Sequence, residues 1–401
     1  MGAVYIEGCK WCGKSTTARQ FAKSYIEFQD PDKKIQYDKI STTKPSIFLD
    51  GEKPRLFDEW QMYPVIWDSI RTDVDHTSKK GQYILTGSAR PFEDSIMHTG
   101  TGRISKLLMR PMSLFESKES NGKVSLKDII DGKDISAVSN LSFDDLINAM
   151  RRGGWPESLN IEGDNKYKLS KEYIKSLLNE EIKAIDGVER NPQKMGAVLK
   201  SLSRNISTNT NKATILNDVK NEFYNEMSRP TLDDYLNTLE RLYILEYVPA
   251  TNLNLRSKTP LRVAPKIELV DPSLVISSLA LTRSDLINDL NFTGFIFENM
   301  CMRDLKIYAE SLDATLSYYR DKNDVEVDCI LKTENEKWGA IEIKLGAGEI
   351  PEAIENLKEF RNKVDTEKFG EPSFLMVLTG SELSYKRDDE IYVVSIGTLK
   401  N

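Results

Sequence analysis

Three features of the sequence predict an α/β fold with a doubly wound core. A β-forming run, "AVYIE" (3–7), leads through a glycine-bearing loop into the helical pattern "STTARQFAKSY" (15–25). Two more apolar runs, "PRLFDEWQ" (54–61) and "QYILTGSA" (82–89), end in acidic or small polar residues, as strands do where a sheet gives way to loops. Toward the other end, 316–331 and 338–346 alternate apolar and polar residues with a period of two. With 401 residues the chain has room for two or three domains, each with its own core.

Composition narrows the function classes. Hydrophobic residues make up 39% and charged residues 29%, within the range of soluble globular proteins. The formal charge of −7 repels polyphosphate as a whole, so nucleic-acid binding would need a local basic patch. No run of eighteen apolar residues predicts a membrane span, and no charged-then-apolar leader predicts secretion. Four cysteines do not make a disulfide framework, so a reducing cytoplasm is expected. His76 and His98 are the only histidines, which argues against a histidine-based zinc site.

The first loop, "GCKWCGKST" (8–16), fits G-x-x-x-x-G-K-[ST] between a strand and a helix. Gly8 and Gly13 let the backbone wrap closely, so that N–H groups converge on an anion at a helix N-terminus. Lys14 would reach the outer phosphates of a nucleotide, Ser15 would ligate Mg²⁺, and Thr16 joins the binding set. Cys9 and Cys12 also spell C-x-x-C. A metal site needs about four ligands, however, and Cys301 and Cys329 are distant and isolated.

A phosphate loop needs a magnesium carboxylate and a base for water. Asp58 and Glu59, at the end of an apolar strand, divide that work: Asp58 in the Mg²⁺ shell, Glu59 polarising the attacking water. Thr86 and Ser88, closing the "ILTGS" strand, are candidates to sense the γ-phosphate. Arg103, after two glycines in "TGTGRISK", is a candidate arginine finger for a neighbouring copy.

"IEGCKWCGKSTTARQ", "PRLFDEWQ", "ILTGSARP", "GTGRISKLLMRPMSLFES" and "RRGGWPE" occur in the order that resembles a family of prokaryotic AAA+-type ATPases. Members carry a C-terminal domain of unknown function that is itself similar to PD-(D/E)XK nucleases. The resemblance covers nearly the whole chain. It implies ATP and Mg²⁺ as cofactors, a doubly wound P-loop core over 1–120 and a helical lid over 121–192. A G-x-P lid motif on the adenine side matches Gly154, Trp155 and Pro156, which nominates Pro156. Relatives usually have Pro where this chain has Cys9, which makes the C-x-x-C accidental. They also carry about a helix's length, roughly 10–12 residues, before the first strand. Here that strand begins at residue 3, so a more exposed adenine side and weaker nucleotide affinity are expected.

Residues 164–190 read as helical, with Leu169, Tyr173, Leu177 and Ile182 on one face. Residues 193–275 look like a winged helix: helical patterns in "KMGAVLKSLSRNIST", "NKATILNDVKNEF" and "SRPTLDDYLNTLERLYILEYV", then a β-wing. Between 193 and 265 there are ten Lys and Arg against seven Asp and Glu. The would-be reading helix carries Asp233, Asp234 and Glu240, which face phosphates badly. Protein packing and DNA contact are both open; on DNA, Arg256, Lys258 and Arg262 are the candidate contacts.

In 276–401, "GFIFENMCMRDLKIYAE" (294–310) is helical and holds Glu298. On the two alternating strands that follow, Asp328, Glu342 and Lys344 can converge on one metal ion. That is the PD-(D/E)XK arrangement, with carboxylates on Mg²⁺, Lys344 as the catalytic lysine and Glu298 as a further ligand. Against cleavage, residues 294–401 hold 14 Lys and Arg and 22 Asp and Glu. The expected reaction is therefore ATP hydrolysis that controls a winged-helix and nuclease-like module, with DNA, a homo-oligomer or a partner protein as candidate partners. A nucleotide-gated adaptor with an inactive nuclease-like domain is the alternative.

Overall fold

A computed structural model describes residues 1–90, 100–185, 187–222, 226–251, 264–321 and 325–401. The chain divides into two units. The first holds Met1–Pro111, Ala184–Val188 and Asn237–Ile244, and the second the remainder.

In the first unit, strand β1 (Ala3–Glu7) is followed by α1 (Lys14–Phe21), β2 (Ser24–Glu27), α2 (Lys34–Thr43), β3 (Arg55–Asp58), α3 (Val65–Thr77), β4 (Tyr83–Gly87) and β5 (Ile104–Leu108). The strands form one sheet in the order β2-β3-β4-β1-β5, and every pair is parallel. Each return is a crossover, as parallel pairing requires. Alternation along β1 explains its burial. Ala3 and Tyr5 enter an aromatic core with Phe28, Phe57, Trp60 and Trp67, while Val4 and Ile6 meet Ala18 of α1 and Leu56 on the other face. Tyr5 lies edge-on to Trp60 and Trp67, with ring centroids 5.6 and 5.8 Å away. Such pairs add about 0.5–1.5 kcal/mol beyond area burial.

The second unit continues with β6 (Val124–Ser125), α4 (Leu126–Ile130), β7 (Ser136–Val138), α5 (Phe143–Arg152), α6 (Leu169–Ser176), α7 (Ile182–Ala184), α8 (Pro192–Arg204), α9 (Lys212–Glu222) and α10 (Arg229–Arg241). After these come β8 (Leu245–Val248), β9 (Lys266–Leu269), α11 (Pro272–Ser278), α12 (Arg283–Asn288), α13 (Leu290–Ser311), β10 (Ala314–Arg320), β11 (Glu326–Thr333) and β12 (Trp338–Lys344). The chain ends with α14 (Ile350–Lys363), α15 (Thr366–Phe369), β13 (Phe374–Thr379), β14 (Leu383–Lys386), β15 (Ile391–Ser395) and β16 (Leu399–Lys400). Ala184, at the end of α7, and the last residues of α10, from Asn237 on, group with the first unit.

Its main sheet has seven strands in the order β10-β11-β12-β13-β15-β14-β7. The three central strands β12, β13 and β15 are parallel, and the flanking pairs are antiparallel. Helix α14 covers one face through Ala353, Ile354, Leu357 and Phe360. The stretch 121–192, expected to be helical, supplies β7 to the edge of this sheet, and β6 pairs with the C-terminal β16. Strands of two and three residues are too short to show a period. Helices α8, α9 and α10 fall where helices are expected, and β8 pairs antiparallel with β9. The wing candidates Arg256, Lys258 and Arg262, and also His98, lie outside the described residues. Among the described residues no helix is long and apolar enough to cross a membrane.

Candidate nucleotide site and a carboxylate cluster

The loop after β1 is shaped by its glycines. Gly8 has φ +152°, and a Cβ there would collide with the Met109 carbonyl oxygen. Gly13, at φ +101°, precedes α1 in a left-handed conformation and gives it no side-chain cap. The first N–H groups of α1, which have no partner within the helix, therefore face the loop together with the positive end of its dipole. Lys14 is buried and lies across the loop, donating from Nζ to the Cys9 carbonyl at 2.7 Å. Thr16 is exposed beside it.

Across the sheet, Ser15 Oγ donates to Asp58 Oδ1 at 2.6 Å, and Thr86 Oγ1 donates to the same oxygen. Glu59 follows in a left-handed turn, φ 56°. Its Oε2 accepts from Ser88 Oγ at 2.9 Å and from Gln61 Nε2. So β3 and β4, adjacent in the sheet, bring the acidic pair and both hydroxyls to the strand ends next to the loop. Thr86 and Ser88, expected to sense a γ-phosphate, each bond one member of the acidic pair. Gln61 escaped the sequence reading. The shape of the Gly8 turn and the hard oxygen donors Ser15 and Asp58 fit a nucleotide with Mg²⁺. ATP–Mg²⁺ would supply the γ-phosphate and the charge-neutralising ion.

A second contact near the loop also escaped. Tyr243 O–H donates to Glu7 Oε2 at 2.9 Å, and the Arg90 guanidinium lies 5.1 Å from the Tyr243 ring centroid. Arg90 N–H donates to the Arg241 carbonyl at 2.9 Å. The end of β1 and the strand-end segment after β4 are thus tied to residues some 150–240 positions later, a pairing that no local pattern announces.

Arg103 sits elsewhere. It precedes β5, whose Ile104 pairs with Ala3, so it lies at the N-terminal edge of the parallel sheet. The phosphate loop leaves the opposite edge, about 13–17 Å away over five residues. Arg103 Nε donates to Asp75 Oδ1 at 2.7 Å.

Cys9 and Cys12 are both buried, and neither is in a disulfide. A hydrogen bond with Cys9, against the cost of burial and helped by Lys14, pulls the Cys12 thiol down to about 7. Pro156 belongs to the second unit, where it opens a short 3-10 turn, Pro156–Leu159. Before it, Trp155 is fully buried, stacks on Tyr173 at 4.7 Å and donates from Nε1 to Ser273 Oγ at 2.9 Å.

The other expected centre does converge. Glu298 on α13, Asp328 on β11, and Glu342 and Lys344 on β12 meet in one buried cluster. Lys344 Nζ is 2.9 Å from Glu342 Oε2 and 3.6 Å from Asp328 Oδ2. Asp328 Oδ2 also accepts from the Ile343 N–H at 2.9 Å, and Glu342 Oε1 from Asn356 Nδ2 at 2.7 Å. Two residues in the cluster, Lys266 and Glu326, were not foreseen. Lys266, at the start of β9 and 2% exposed, places Nζ 2.8 Å from Glu298 Oε1, 3.0 Å from Asp328 Oδ1 and 3.0 Å from Glu326 Oε1. Its signal in the sequence was "PKIELV", a lysine and a glutamate two apart inside an apolar strand. All four residues of β9 are buried.

The electrostatics follow from that geometry. Burial alone would lower the Lys266 pKa, but Glu298, Asp328 and Glu326 outweigh it and hold the group well above its ordinary range. Burial, then Asp328, pushes Glu298 well up and Glu342 up to about 8. Burial would also raise Asp328, but Lys266 and Lys344 pull it down to about 2. The expected metal set therefore does not fit a divalent ion as it stands, because an ammonium bridges the carboxylate oxygens. Among the described residues, no group of three or more His, Cys, Asp or Glu is arranged to hold a metal.

Residues 2–118 match the model of an AAA domain, which supports nucleotide binding by that stretch. Residues 143–285 and 293–399 match two domains of unknown function, DUF8612 and DUF4143. No curated protein matches. Among solved structures, the chain is similar to one from the structure of Drosophila ORC bound to DNA. The identity is 12% and the TM-score 0.19, over 73% of this chain and 90% of that one. Likeness at that level carries no argument.

Proposed function

We propose that this protein is a Mg²⁺-dependent ATPase of the AAA type whose nucleotide state controls its C-terminal α/β unit. One observation carries the reading: Ser15, at the start of the helix after the phosphate loop, meets Asp58 at 2.6 Å. A hydroxyl and a carboxylate so joined are the pair that would hold the magnesium of a bound nucleotide. Lys14 and the loop amides would hold the phosphates. Glu59, oriented by Ser88 and Gln61, would take a proton from the attacking water. Arg103 would serve a neighbouring copy, since it lies at the far edge of its own sheet.

The adaptor reading is preferred to DNA cleavage for the C-terminal unit. Its carboxylate cluster already encloses an ammonium. On α10, Asp233 pairs with Lys212 at 2.7 Å and Asp234 with Arg190 at 2.8 Å, so these acids serve internal contacts. ATP turnover is the test. Lys14→Ala and Glu59→Gln should each lower turnover by about 100-fold or more, with Glu59→Gln still binding ATP. Equal turnover in all three proteins would end the ATPase proposal. Stimulation by DNA would revive the nucleic-acid reading, and an ATP-dependent protein complex would favour the adaptor.

A further inference from the structure

We propose that Lys266 is the permanent cation of the C-terminal carboxylate cluster, standing where a nuclease-like centre would need a divalent metal, so that this centre binds no metal and cleaves no phosphodiester. The inference is independent of the ATPase reading.

Geometry carries it. The Lys266 ammonium lies within 3.0 Å of carboxylate oxygens from Glu298, Glu326 and Asp328, which come from α13 and β11. It donates to Glu298 Oε1 and Asp328 Oδ1 and pairs with Glu326, so the charge is compensated where it lies. The whole side chain is only 2% exposed, and withdrawal of the ammonium would strand carboxylates in the interior. A divalent ion would have to displace that ammonium and be ligated by the same oxygens. Charge points the same way. Asp328 already lies between two ammoniums, with Lys266 Nζ 3.0 Å from Oδ1 and Lys344 Nζ 3.6 Å from Oδ2. The groove beside the cluster is lined by Glu342, Glu349, Glu352, Glu355 and Glu359 against Lys344 and Lys358, which repels a nucleic-acid backbone.

The origin of the lysine adds a consequence. Lys266 belongs to the segment 143–285, while Glu298, Glu326, Asp328 and Glu342 belong to 293–399. The two segments therefore complete one ion cluster, and β9 is pinned to the C-terminal sheet through it.

The experiment uses the full chain without nucleotide, carrying Asp58→Ala so that the ATP site cannot contribute a metal signal. Manganese binding is followed by electron paramagnetic resonance, and thermal unfolding is followed with and without manganese. The Asp58→Ala protein should bind no manganese at stoichiometric concentration, and its melting temperature should not respond to the ion. Adding Lys266→Met should lower the melting temperature by about 10 °C, and millimolar manganese should restore part of the loss. Adding Lys266→Arg, which keeps the charge, should leave manganese binding absent. One equivalent of manganese on the Asp58→Ala protein, lost when Asp328→Asn is added, would overturn the proposal. So would a Lys266→Met protein that melts at an unchanged temperature in metal-free buffer. If Lys266→Met does not fold, the manganese titration of the Asp58→Ala protein alone still decides.

Discussion

Glu342 and Asp328 occupy neighbouring strands and share Lys344, yet they are driven to opposite protonation states. Glu342 is raised from 4.5 to about 8 by burial and by Asp328, while Lys266 and Lys344 hold Asp328 at about 2. Between about pH 5 and 8 the folded chain keeps a proton on Glu342 that the unfolded chain releases. Stability must therefore fall as pH rises through that window, by up to about 1.4 kcal/mol per pH unit for one proton. Glu298 acts in the same direction. Asp328 gives the reverse dependence, with stability lost as pH falls, but only between about pH 4 and 2. Urea denaturation at pH 5 to 9 should show the decline in the wild type and a flatter profile in Glu342→Gln; identical slopes would mean that Glu342 titrates as an ordinary carboxylate. These residues also show what a sequence can disclose. Gly8, Lys14 and Ser15 lie within eight residues of one another, and their grouping is readable because it is local. Asp58 and Glu59 are readable because a strand end announces them. Lys266 is not, because its partners stand 32, 60 and 62 residues away on elements whose adjacency only the fold creates.

At the scale of elements, α13 organises the second unit through a buried ion network. Arg303 on this helix places Nη1 2.9 Å from Asp271 Oδ2 and Nη2 2.7 Å from Asp304 Oδ1. Asp304 Oδ2 accepts from the Leu114 N–H at 2.9 Å, and Asp271 Oδ2 from the Gly154 N–H at 2.8 Å. The segments around Leu114, the Gly-Gly-Trp-Pro turn and the start of α11 are thereby fastened to one helix. Removing the guanidinium would leave two carboxylates buried without their cation. Arg303→Ala should cost about 3–5 kcal/mol, measured as a lowered denaturation midpoint. Arg303→Lys should recover only part of it, because an ammonium cannot reproduce the planar fork. A midpoint unchanged in Arg303→Ala would show that the network adds nothing to stability. The helix itself was legible from its apolar spacing; its fastening was not, because "RD" at 303–304 carries no mark of burial. Strand β7 was hidden for a different reason: three residues make no pattern, and the C-terminal sheet, not local propensity, holds them extended.

At the scale of the whole molecule, the sheet sets a limit on catalysis. Its parallel strands send the phosphate loop, Asp58 and Glu59 to one edge and Arg103 to the other. A guanidinium about five strand residues from its own loop can reach a γ-phosphate only on another copy. Arg103→Ala should then retain ATP binding and lose turnover, as Glu59→Gln does, but for a different reason. On the proposed mechanism the Arg103→Ala chain keeps a complete water-activating site, and the Glu59→Gln chain keeps a guanidinium to lend. Mixed in equal amounts, the two inactive proteins should recover part of the wild-type turnover, because some neighbouring pairs then combine an intact Glu59 with an intact Arg103. The recovery should grow with total protein concentration, since it depends on encounter between chains. Light scattering with ATP and Mg²⁺ should show assembly over the same concentration range. A mixture as inactive as its components, from chains that scatter as monomers, would leave Arg103 a surface residue paired with Asp75 and remove it from the reaction.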